Sequence, residues 1–143
     1  MKDSLQAGLS GTFRYTVAND KTVPHIYREA ADFQLMPEVF ATGYMVALCE
    51  WACVELIKPH LDWPAEQSVG THVNLSHTSA TPPGFTVTVL TRLEKIQGRK
   101  LTFSINAHDG VDPITEGTHE RIIIDPLRFN AKLRTKQTPG AAA

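Results

Sequence analysis

Three side chains in this 143-residue sequence stand where the hydrophobic pattern argues against them. Glu50 interrupts a long apolar run, and an unpaired carboxylate in such a setting is costly, so it raises its pKa or finds a partner. His77 falls on the apolar face of an alternating run with Val69, Thr71, Val73 and Leu75, whereas His72 points the opposite way with Gly70, Asn74, Ser76 and Thr78. Glu50 and His77 could therefore satisfy each other, and a carboxylate beside an imidazole supplies a nucleophile or general base together with a proton carrier near neutral pH. Thr42 is the third candidate. It lies near the N-terminus of the helix that carries Glu50, where free amides and the macrodipole favour developing negative charge. Each residue has a structural alternative: a surface carboxylate, a hydrogen-bonded core histidine, a helix cap. On one straight helix Thr42 and Glu50 are about 80° apart in azimuth and about 12 Å apart along the axis, so they flank one substrate or meet across subunits.

The element that positions two of these groups is a helix expected over Val39–Leu61, apolar on nearly every side from Phe40 to Ile57 and therefore expected to be buried. Its start falls at Pro37 and Glu38 or at Thr42 and Gly43, and Pro59 limits its end. Around it the period of two recurs. Thr12 to Val17 alternates as a half-buried strand, and four further runs follow: Val69–Thr78, Phe85–Leu93, Leu101–His108 and about Ile114–Ile124. Pro82-Pro83-Gly84, Gln97-Gly98 and Asp109-Gly110 mark the turns. Five antiparallel strands and one buried helix make a segregated α+β arrangement in which the sheet must curl around the helix. Between strand one and the helix, Ala18 to Pro37 holds no period but carries Ile26, Tyr27, Phe33, Leu35 and Met36, and an apolar loop of this length reads as a lid over residues 18–38.

Length and composition suit one domain over residues 1–143, with residues 126–143 as a C-terminal extension. Net charge is −1 and the basic residues are scattered, which leaves no electrostatic footprint for nucleic acid. Glu50 and Glu55 argue against a membrane span, since each would cost roughly 2.5–3.5 kcal/mol at a bilayer centre. No signal-like segment opens the chain, so a cytoplasmic location is expected and the Asn74-Leu75-Ser76 sequon carries no meaning. Cys49 and Cys53 share a helix face and read as reduced core thiols. His119-Glu120-Arg121 and His108-Asp109 lack a metal-ligand spacing and read as strand and turn residues, and Arg128, Lys132, Arg134 and Lys136 as a solvated tail.

A resemblance sharpens this. Pro37-Glu38-Val39-Phe40-Ala41-Thr42-Gly43, Glu50-Trp51-Ala52-Cys53-Val54, Gly70-Thr71, His77-Thr78, Ala80-Thr81-Pro82-Pro83-Gly84, Ala107-His108-Asp109-Gly110-Val111-Asp112 and Gly117-Thr118-His119-Glu120-Arg121 together resemble the fluoroacetyl-CoA thioesterase family of hotdog-fold proteins over nearly the whole chain. The resemblance implies a homodimer with active sites near the subunit interface and a catalytic Thr–Glu–His set on Thr42, Glu50 and His77. It places Gly70 beside the thioester and Arg121 as the family's strand arginine. In the lid it keeps Phe33 but sets Met36 where a second phenylalanine is expected, which points to a less exacting acyl pocket.

The expected activity is hydrolysis of a small acyl-CoA thioester, fluoroacetyl-CoA foremost, with coenzyme A as part of the substrate and with no metal or redox cofactor. Two other classes fit the same features: a hotdog enoyl-CoA hydratase, which would add water without releasing thiol, and a non-catalytic acyl-CoA-binding protein.

Overall fold

The computed structural model describes residues 1–138; the end of the expected C-terminal extension, 139–143 with the Ala141–Ala143 tail, lies outside the described residues. Strand β1 (Ser10–Thr16) is followed by two single-turn helices, α1 (Val23–Ile26) and α2 (Ala31–Gln34), and then by the central helix α3 (Thr42–Ile57). Strands β2 (Gln67–Leu75), β3 (Thr86–Gln97), β4 (Lys100–His108) and β5 (Pro113–Ile124) complete the sheet, and helix α4 (Pro126–Gln137) follows. All strands are antiparallel in the order β1-β3-β4-β5-β2, so β1 and β2 are the edges. This is the hotdog arrangement, with α3 lying against the sheet face that carries Val87, Val89, Leu93, Leu101, Phe103, Ile105, Ile114 and Ile123.

Three expectations need correction. The central helix is shorter than Val39–Leu61: it begins at Thr42, and the end over Lys58–His60 tightens into a 3-10 turn at Pro59. Only one side of it is buried by its own chain, through Met45, Leu48, Cys49, Ala52, Cys53 and Ile57. The opposite side, with Ala47 and Trp51, stays exposed, Trp51 at 49% while its ring leans on Phe13 at 4.7 Å between centroids. Second, the stretch over residues 18–38 read as a loop without period carries α1 and α2, which pack on the start of α3, where Gly43 lets Ile26 approach so closely that an added Cβ would meet Ile26 Cδ1 at 2.6 Å.

The third correction concerns register. Gly70 pairs with Arg121 and His72 with Glu120, so Thr71 is an extra residue that forms a bulge in β2. A single inserted residue reverses the alternation. Val69 sits opposite outward-facing Ile122, whereas Val73 sits opposite buried His119; the two valines are on different faces, not on one as uniform alternation required. Strand β2 also ends at Leu75, so His77 lies beyond it.

Hydrogen bonds fix the start of α3. The Phe40 amide donates to the Thr81 carbonyl at 2.8 Å and the Ala41 amide to the Lys21 carbonyl at 3.1 Å. Thr81 is held in turn by its hydroxyl, which donates to Asp109 Oδ2 at 2.8 Å, while Asp109 Oδ1 accepts from the Val111 and Asp112 amides at 3.0 and 2.8 Å. Burial alone would raise the Asp109 pKa, but these accepted bonds outweigh it and hold the carboxyl below its ordinary value. Because the folded value is depressed, the stabilisation is present at neutral pH and is lost as pH falls through that folded value. Asp109→Ala is expected to cost about 1.5–3 kcal/mol at pH 7, the scale for a charged hydrogen-bond acceptor. Urea unfolding of both forms at neutral and acidic pH checks this, with the gap narrowing towards acid.

Candidate active site

Within one chain the candidate residues separate into two clusters on α3. At its N-terminal end Thr42 is the first helical residue, and its Oγ1 lies 2.7 Å from His77 Nδ1. The segment after β2 is tied down on both sides of His77, by the Ser76 amide to the Glu116 carbonyl at 3.1 Å and the Thr78 amide to the Ile114 carbonyl at 2.8 Å. Burial lowers the His77 pKa, opposed by the Ser79 backbone, so the ring favours its neutral form. Its Nε2 is buried and without a hydrogen-bond partner among the described residues. Since the first-turn amides of any helix have no intrahelical acceptors, a hydroxyl, an imidazole and free N–H groups converge at this point.

Two turns further on, Glu50 does not meet His77. Its Oε2 accepts from Arg121 Nη1 at 2.7 Å, so the carboxylate expected to seek a partner finds a guanidinium instead of an imidazole. Arg121 faces the helix by the alternation of β5, the bulge sets Gly70 on that same inward face, and His77 lies beyond the end of β2 at the N-terminal end of α3. Arg121 is nearly inaccessible at 6%, while Glu50 is 38% exposed and is not the fully buried group that an all-round apolar helix suggested.

Gly70 completes this second cluster. A Cβ there would stand 2.8 Å from Glu50 Oε2, 3.2 Å from His119 Cε1 and 3.5 Å from Arg121 Nη1, so the missing side chain is what lets the carboxylate rest against the strand. Arg121 is held further by Ser68, its Nε donating to Ser68 Oγ at 2.8 Å and its Nη2 to the Ser68 carbonyl at 3.0 Å. Of the lid residues, Phe33 is half-buried with its ring 6.4 Å from Tyr27, and Met36 is exposed; both belong to the segment packed at the Thr42 end of α3 rather than at Glu50. Cys49 and Cys53 are free, buried core thiols, and burial first, then Glu50, pushes the Cys49 thiol up to about 12.

The family model for fluoroacetyl-CoA-specific thioesterases matches residues 17–126. The chain belongs to this family. A fluoroacetyl-CoA thioesterase of Streptantibioticus cattleyicolor is 50% identical over 140 residues, 98% of this chain and 100% of that protein. A solved structure of the fluoroacetyl-CoA thioesterase FlK superposes with a TM-score of 0.90 at 50% identity, covering 94% of this chain and 98% of the other. A thioesterase superfamily member from Thermus thermophilus, 26% identical and covering 99% of both chains, superposes at 0.82. Family membership accounts for the thioesterase fold, and the geometry adds one residue that the sequence reading set aside and one that it did not single out. His119, taken for an ordinary strand residue, lies in the Glu50 cluster, as does Ser68. The available signal was the one that exposed Glu50: His119 and Arg121 share the inward face of β5 with Ile123, two polar groups where the period of two asks for apolar ones.

Gly70→Ala tests the close approach directly. Gly70 has no positive backbone φ, so the added methyl is not excluded by backbone conformation; it must displace the Glu50 carboxylate. Turnover is expected to fall by roughly 10²-fold, the scale for a misplacement of about 1 Å, with thermal unfolding little changed; steady-state thiol release and a melting curve on the same sample check both.

Proposed function

We propose that this chain hydrolyses a small acyl-CoA thioester, fluoroacetyl-CoA foremost, to the free acid and coenzyme A, and that it does so as a homodimer whose active site is completed across the subunit interface. The observation that carries this reading is the Glu50 carboxylate, held by Arg121 against side-chain-free Gly70, on the segment Gly70–Asn74 that β2 leaves exposed at the sheet edge.

An exposed edge strand is a template for pairing, and a two-fold axis makes such pairing self-complementary. Two copies of β2 that pair antiparallel about Thr71–Val73 bring the Gly70 end of one strand beside the Leu75 end of the other. Glu50 of one protomer then faces the partner's Thr42 and the partner's His77, which removes the separation of about 12 Å that keeps them apart on one helix.

In this site the thioester carbonyl lies between Glu50 and the start of the partner's helix. Glu50 attacks the carbonyl carbon or takes the proton of an attacking water. Thr42 and the first-turn amides receive the charge that grows on the carbonyl oxygen, which helix N-termini favour. His77, neutral by burial and with Nε2 uncommitted, accepts a proton given up by the attacking water and passes it to the thiolate released as the C–S bond breaks. Where Glu50 is the attacking group, water then cleaves the acyl–Glu50 anhydride to the free acid and restores the carboxylate. The alcohol-forming alternative, hydration of an enoyl-CoA, has no feature of the site in its favour over hydrolysis.

Glu50→Gln and His77→Ala are each expected to lower kcat by at least roughly 10²-fold, the scale of losing an acid–base group. Thiol release from fluoroacetyl-CoA and acetyl-CoA, with melting curves alongside, measures this. Because burial lowers the His77 pKa, neutral imidazole persists to a pH below the ordinary histidine range, and the acid limb of kcat/KM that His77 contributes lies correspondingly low. Near-normal thiol release in either variant would return the residue to a structural role.

A further inference from the structure

The Arg121 guanidinium is held by more than its carboxylate. Nη1 carries two N–H bonds; one is directed at Glu50 Oε2 at 2.7 Å and the other at His119 Nε2 at 3.1 Å. His119 is buried, stacks on Phe103 at 6.4 Å between centroids with the planes 27° apart, and its Nδ1 lies 2.7 Å from the His72 carbonyl beside the β2 bulge. A carbonyl only accepts, so Nδ1 carries the proton; in a neutral ring that leaves the lone pair on Nε2, which is the acceptor Arg121 requires. One tautomer satisfies both neighbours.

We infer that His119 is a positioning residue for the thioesterase reaction: through Nε2 it fixes Nη1 of Arg121, and so the direction from which the guanidinium presents its other hydrogen to Glu50. The inference rests on the reading of Glu50 as the reacting carboxylate. Ser68 fixes Nε and Nη2 of the same group. With those anchors alone the plane of the guanidinium is set, but an Nη1 hydrogen would remain unpaired in a buried place, and a buried unpaired donor seeks another acceptor. His119 satisfies that hydrogen where it stands, so the guanidinium keeps the pose in which it gives Glu50 a single N–H, on Oε2. Burial, its largest cause, lowers the His119 pKa, with Arg121 in the same sense and the His72 carbonyl against it, in keeping with the neutral ring.

Substitutions at His119 separate its two hydrogen bonds. Phe keeps the ring and the stacking but neither polar atom; Asn keeps a donor near Nδ1 without the distal acceptor; Gln offers an acceptor near Nε2. Thiol release from fluoroacetyl-CoA is measured for all three, for Arg121→Met, for Arg121→Met with His119→Phe, and for Glu50→Gln, each with a melting curve. Phe and Asn are expected to lower kcat roughly ten- to a hundred-fold with KM little changed, Gln to recover most of that loss, and His119→Phe to add nothing once Arg121 is Met. The inference is overturned if the losses track melting temperature without regard to the acceptor, or if the His119 and Arg121 effects multiply independently. Should His119→Phe fold poorly, the comparison of Asn with Gln decides. Full activity in Glu50→Gln would instead remove the reading of Glu50 itself, whereas an inactive Glu50→Gln beside a fully active His119→Phe removes only the role of His119.

Discussion

The ion pair between Glu50 and Arg121 is the constraint on which the rest of the structure depends. A guanidinium as inaccessible as that of Arg121 is tolerated only with its donors engaged, because leaving one charge of such a pair uncompensated is far more costly than never burying it. Every element near it bears on that requirement. The β2–β5 register sets Gly70 opposite Arg121, the bulge at Thr71 brings Ser68 and Gly70 inward together with Val73, and the absence of a side chain at Gly70 admits the carboxylate from α3. Helix and sheet are thus joined by apolar packing and by one oriented charge pair at the place where chemistry is proposed.

The rigidity of α3 has a second consequence. Thr42 and Glu50 share a helix that cannot fold back on itself, so their clusters are separated within the chain, and the start of the helix must be placed as accurately as its middle. That placement runs through backbone bonds from Phe40 to Thr81 and from Ala41 to Lys21, with Asp109 gathering the Thr81 hydroxyl and two turn amides into one carboxylate. A turn that the sequence marks only as Asp109-Gly110 therefore reaches the Thr42 end of the site.

Much of the architecture was legible in the sequence because period-two alternation and an apolar helix are direct consequences of burial. The strands near Leu101–His108 and Ile114–Ile124 emerged close to their observed limits for that reason. The bulge was not legible: inserting one residue costs the pattern nothing visible, since Val69 is apolar on either face, yet it puts Val69 on the opposite face from Val73 and Leu75. Glu50 pairs with Arg121 and not with His77 because β2 ends at Leu75 and the segment after it carries His77 to Thr42 at the start of α3. The exposed side of α3 was misread for a different reason, since an apolar helix surface looks alike in a sequence whether its own chain covers it or leaves it open. Thr42, Glu50 and His77 were singled out by type and by family resemblance, and helix geometry already set Thr42 apart from Glu50; that His77 joins Thr42 and not Glu50 needed coordinates.

Mixing two inactive variants tests most directly whether the clusters meet across a two-fold axis. The Glu50→Gln and His77→Ala proteins are dissociated together, as the proposed dimer allows, and left to reassociate. A heterodimer formed from them holds one site with both Glu50 and His77 intact and one site with neither, so thiol release should recover to about a quarter of the wild-type specific activity after statistical exchange between protomers. If exchange is complete, as read by mass spectrometry of the intact dimers, and activity stays at the level of the separate variants, the site does not cross the interface and the proposed assembly is wrong.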